Sequence, residues 1–124
     1  MMQRRVLIAL ALIAVVAQAC GPDAQDRRRA QAREAVRAAG FADAQFQRGQ
    51  SPTQLSLCKV GQTRNRGWAF HWRTEEASGL YCARDDGRPD EILLLEGARP
   101  AAPAGGIPVV EASAAARSLA RTVR

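Results

Sequence analysis

Residues 68–74, Trp-Ala-Phe-His-Trp-Arg-Thr, alternate large rings with small or polar groups at a period of two. An extended strand turns Trp68, Phe70 and Trp72 to one side and Ala69, His71 and Arg73 to the other. Three rings on one face ask for cover, since a domain built from a chain this short needs them for its core. The rival reading is an exposed platform that stacks sugar rings or packs a partner protein. The flanking sequence favours the core, because it supplies a helix suited to lie over such a face.

That helix begins after Asp23, a capping residue, with Asp26 in its first turn and Arg33 and Arg37 toward its end, as the helix dipole favours. Ala32, Ala35, Val36 and Ala39 form a thin apolar stripe that allows close approach to a sheet. Gly40 suits the left-handed position past the last turn, and Phe41 is placed to fold back on Val36. Beyond Phe41 the period becomes two. Strands are expected at 44–48, 55–62, 68–74, 80–84 and 91–95, with turn residues at Ser51-Pro52, 63–67, 75–79 and 85–89. The expected fold class is α+β: one N-terminal helix packed on a small antiparallel β-sheet of four to five strands. The folded unit would span residues 24–96. Residues 97–124 read as a Pro/Ala/Gly-rich linker and a loosely ordered tail, whose stretch from Glu111 to Val123 is helix-prone but offers only Leu119 and Val123 for packing.

The first twenty residues have a different logic. Arg4 and Arg5 precede an apolar run from Val6 to Ala17, followed by Gln18-Ala19-Cys20. This is the layout of a secretory signal, and the run falls short of the roughly 20 apolar residues that a membrane span needs. With Cys20 directly after Ala19, the segment resembles the lipobox of bacterial lipoprotein precursors, although Ala17 stands where leucine is usual. Ala17-Gln18-Ala19 also fits the rule for soluble export. The resemblance implies cleavage before Cys20, so that residues 1–19 are a signal peptide. It also implies a lipid on Cys20 and a short tether over residues 20–23. Gly21, rather than Asp, leans toward the outer membrane, with the domain facing the periplasm.

The cysteine count agrees with that resemblance. An exported chain with three cysteines has one left over, and lipidation of Cys20 leaves Cys58 and Cys82 to pair in an oxidising compartment. In a plain meander of strands the two would lie too far apart, so a bond requires the segment around Leu57 to neighbour that around Tyr81, or the sheet to curl. Cleavage would leave 105 residues, enough for one domain, with sixteen basic residues against twelve acidic. All but Lys59 of the basic residues are arginine. A mildly basic surface is drawn to anionic lipid headgroups, whereas export argues against nucleic acid as a partner.

No spacing announces catalysis. His71 is the only histidine, with Asp85, Asp86, Glu75 and Glu76 in the adjacent loops. An acid–base pair, or a thiol–histidine pair with Cys58 or Cys82, can be written but has no local signature. Cys58, His71 and Cys82 lack metal-ligand spacing, and no metal or cofactor is expected. Arg64, Asn65 and Arg66 are placed at a loop tip to contact a phosphate or carboxylate. Arg27, Arg28 and Arg29 lie near Cys20, where a basic cluster would add attraction to an anionic surface. The leading expectation is a non-catalytic accessory or interaction protein of the cell envelope. The alternative is an arginine-based recognition module for an anionic envelope component, or a small inhibitor of periplasmic hydrolases.

Overall fold

The computed structural model describes residues 23–101 and 106–122. Helix α1 (Ala24–Ala38) starts as its sequence suggests, the Asp23 carboxylate accepting from the Asp26 amide at 2.9 Å. It stops in a Schellman turn: Gly40 takes φ 111°, its N–H donates to the Arg37 carbonyl, and the Phe41 N–H donates to that of Val36. Strand β1 (Gln45–Phe46) follows, then helix α2 (Pro52–Cys58) and strands β2 (Gly67–Arg73), β3 (Ser78–Arg84) and β4 (Glu91–Glu96). Strand β5 (Val109–Glu111) and helix α3 (Ala114–Thr122) complete the order. The sheet runs β1-β2-β3-β4-β5, antiparallel except for the last pair.

The α+β class, the N-terminal helix on the sheet and four of the five expected strands match the expectation, with three differences. Residues 52–58 are helix rather than strand. Ser51 and Gln54 form a reciprocal capping box, the Gln54 amide donating to Ser51 Oγ at 3.1 Å and the Ser51 amide to Gln54 Oε1 at 3.2 Å. Pro52 adds a preset φ in the first turn. Lys59 then occupies the left-handed closing position (φ 57°, ψ 45°), at a cost of about 1 kcal/mol relative to glycine. The sheet is mixed rather than purely antiparallel, because β5 pairs in parallel with β4, Val109 opposite Ile92. Pro100, after β4, lies against Gly40, where a Cβ would come within 3 Å of its ring. Finally, where a loosely ordered tail was expected, β5 and α3 form, α3 opening with the Ala116 amide on Ser113 Oγ at 3.1 Å.

Both faces of the sheet are covered. Under α1 lie Phe70, Trp72, Tyr81, Ala83, Ile92 and Leu94, with Ala32, Val36 and Phe41 above them. Phe70 and Trp72 are buried, as a core requires, while Trp68 at the end of the row is only partly so. Phe41 packs on Trp72 with ring centroids 4.5 Å apart, and the Arg29 guanidinium caps Phe70 at 5.3 Å. Gly79 sits opposite Trp72 in the ladder, where any Cβ would lie 2.5 Å from ring carbon Cζ2; the indole covers the glycine. On the other face Ala69, Leu80, Cys82, Leu93 and Leu95 meet Cys58 and Val60, flanked by Leu55, Leu57 and Ala120. The unbroken apolar run Ile92-Leu93-Leu94-Leu95 needs cover on both sides, and α2 with α3 provides the second.

Candidate functional site

The Cys58–Cys82 bond joins the last residue of α2 to the middle of β3, Cα to Cα 5.3 Å apart, with both residues fully buried. The expected pairing is present, but not the strand neighbours thought necessary for it. Cys58 approaches from a helix across the face of the sheet, so β2 and β3 stay adjacent in a plain meander. Bonded, neither sulfur is a thiol nucleophile or a metal ligand. Cys20 lies outside the described residues.

Arginines do most of the tying between helices and sheet. Asp90, just before β4, accepts on Oδ1 from Arg28 Nη2 at 2.6 Å and from the Arg84 amide at 2.9 Å, and on Oδ2 from the Tyr81 hydroxyl at 2.7 Å. Arg28 also pairs with Asp85 at 3.2 Å, which fixes α1 to the β3–β4 turn. Arg84 Nη2 donates to Glu91 at 2.9 Å and to the Cys58 carbonyl at 3.3 Å. Arg88 holds Asp86 through two nitrogens and donates to the Lys59 carbonyl at 2.7 Å. The orphan carbonyls at the end of α2 are thereby satisfied by cations, the sign the helix dipole favours there.

Burial opposes the charge on Asp90, but the bonds from Arg28, Tyr81 and the Arg84 amide outweigh it and hold the carboxyl below its ordinary value. Burial, reinforced by the bond to Asp90, pushes the Tyr81 phenol well above its ordinary value. A raised folded value means that Tyr81 contributes stability fully below its unfolded value near 10 and loses it as pH rises through the folded one. Asp90 behaves oppositely: its contribution is present above an unfolded value near 4 and is lost as pH falls through the lowered folded one. Tyr81 is the only tyrosine, so phenolate absorbance reports it alone. The phenolate should appear only above the ordinary tyrosine range and together with loss of near-ultraviolet dichroism. Titration near pH 10 with the fold intact would contradict the buried bond to Asp90.

The sequence-derived candidates are dispersed. His71 stands on the α2 face of the sheet, its Nδ1 2.7 Å from Gln47 Oε1. Of the acids weighed as its partners, Asp85 and Asp86 are engaged by Arg28 and Arg88, while Glu75 lines a separate cleft with Asp43. Among the described residues no group of histidine, cysteine and carboxylates is arranged to hold a metal ion. Asn65 folds the loop before β2, its carbonyl accepting from the Gly61 amide at 2.8 Å, and leaves Arg64 and Arg66 exposed. Arg66 borders a hollow with Trp68 and Asp85 that His71 does not line. Of the basic cluster near Cys20, Arg28 and Arg29 turn onto the domain through Asp90 and Phe70.

One cleft gathers groups from four elements. It has a volume of about 370 Å³ and lies between α2, β2, β4 and α3, beside the β1–α2 connection. Gln47, Thr53, His71 and Arg73 supply its polar wall, and Leu57, Leu95 and Ala120 its floor. Sequence reasoning placed His71 and Arg73 on one face but missed the cleft, because Gln47, Leu57 and Ala120 arrive through the β1 pairing, α2 and α3. Compared with protein-family models, curated proteins and solved structures, the chain matches none.

Proposed function

We propose that this chain is an exported, lipid-anchored protein of the bacterial cell envelope whose folded domain acts by binding a partner rather than by catalysis. The observation that carries the reading is the buried Cys58–Cys82 bond. Structural disulfides persist in oxidising compartments and are rare in the cytosol, so the bond fits the signal-like segment before Cys20. It also accounts for two of the three cysteines, and the third, Cys20, stands at the position where lipoprotein precursors are acylated. Among the described residues no helix is long and apolar enough to cross a membrane. Gly21 directs the anchored protein to the outer membrane, with the domain in the periplasm. Two acyl chains, unlike one, give a stable anchor.

For the binding role, the support is that the charged groups of the β3–β4 end are engaged in joining α1 and α2 to the sheet. Arg64, Arg66 and Arg73 remain exposed and outside that network, which favours recognition of something anionic. Labelling cells with radioactive palmitate tests the anchor. The label is expected to follow the protein into the membrane fraction, and Cys20→Ser is expected to abolish it. Wild-type protein made in normal amount, soluble and unlabelled, would overturn the anchor.

A further inference from the structure

We infer that the cleft between α2, β2 and α3 is a binding site for a small organic carboxylate bearing a short apolar group, such as an N-acylated amino acid or the end of a peptide. This gives the binding role a ligand class. It concerns the folded domain only, so it stands or falls separately from the lipid on Cys20.

The chemistry of the walls carries the inference. Arg73 contributes an exposed guanidinium that forms no ion pair among the described residues, and no carboxylate lines the cleft with it. A guanidinium presents a planar fork of donors that matches a carboxylate bidentately. Gln47 is held against His71 through its Oε1, which leaves its amide nitrogen as a donor, and the Thr53 hydroxyl stands on the neighbouring wall. Leu57 and Leu95 form an apolar floor beside these polar groups. A concave site of a few hundred Å³ with an apolar base and a few convergent polar groups is the usual form of a small-ligand pocket. The volume of about 370 Å³ suits a ligand the size of an acylated amino acid rather than a large glycan. A second cleft, which shares Gln47 and Arg73 with the first, contains Asp43 and Glu75 and would repel the same ligand, which favours the His71 side for the anion.

The test is ligand-observed NMR on the full chain purified in detergent, with N-acetylleucine, its neutral amide and inorganic phosphate as probes. N-acetylleucine is expected to bind, and the amide to bind about tenfold more weakly or less, as loss of a charge-assisted pair implies. Arg73→Gln should weaken N-acetylleucine by a similar factor, and Arg73→Lys, which keeps the charge but not the fork, should recover part of it. Since Arg73 is exposed, these variants keep the fold, which circular dichroism verifies. Arg33→Gln, exposed on α1 and outside the cleft, should bind as the wild type does. Absence of binding, equal binding of acid and amide, or indifference to Arg73→Gln would overturn the site. So would a preference for phosphate that disappears with Arg64 and Arg66, because it would move anion recognition to that loop.

Discussion

Trp72→Ala is expected to unfold the domain, whereas Trp68→Ala, beyond Phe70 on the same face, is expected to leave it folded. Trp72 is fully buried, packed against the tilted ring of Phe41, and covers the bare backbone of Gly79 across the ladder. Removing a ring from such a site loses its transfer free energy and leaves a cavity that the alanine-lined helix above cannot collapse to fill, a cost of about 3–5 kcal/mol. That is comparable to the whole stability of a small domain. Trp68 is only partly buried and borders solvent beside Arg66, so its truncation leaves a dent rather than a hole. Thermal melts followed by circular dichroism compare the two. A cooperative transition for Trp72→Ala within a few degrees of the wild type would show that the ring is not the keystone of this face.

Reduction of the Cys58–Cys82 bond, or the double substitution Cys58→Ala/Cys82→Ala, is expected to cost nearly as much. The bond closes a loop of 24 residues, worth about 3 kcal/mol in the chain-entropy model. For a domain of this size that lowers the melting temperature on the order of 15 °C. The loss should fall on the α2 face, since α2 is a seven-residue helix, too short to persist without packing. The α1 face keeps Phe41, Trp72 and the Arg28–Asp90 pair. Amide exchange is therefore expected to accelerate first in residues 52–60 and only later in β2. Uniform acceleration across both faces, or an unchanged melting temperature, would mean that α2 is held by something other than the bond.

The parts of the fold legible in the sequence are those whose signals are local. Asp23, Gly40 and Phe41 mark both ends of α1, and the alternation of Trp68, Phe70 and Trp72 marks β2 and its buried side. Helix α2 resembles a strand in the sequence because Leu55 and Leu57 alternate with Ser56, Cys58 and Val60, and two turns are too few for the helical period to separate from that alternation. The decisive signal, the Ser51-Pro52-Thr53-Gln54 capping box, is equally local and outweighs the alternation. Strand β5 has only three residues and forms through its parallel pairing with β4, which no local pattern announces. The polar network was illegible for the same reason. Arg28 and Asp90 are 62 residues apart, and the acidic turn before β4 reads as solvated until α1 is laid against it. His71 and Arg73 were placed on the correct face, but the cleft they line exists only once α2 and α3 cover that face.

Non-reducing peptide mapping of the protein recovered from the cell envelope tests the central claim most directly, because all three cysteines are read in one spectrum. After thiols are blocked before lysis, the account predicts one peptide pair joined through Cys58 and Cys82. It also predicts an N-terminal peptide beginning at Cys20 that carries acyl chains and no blocking group. Two blocked, unpaired thiols at Cys58 and Cys82, or a bond from Cys20 to either of them, would contradict it.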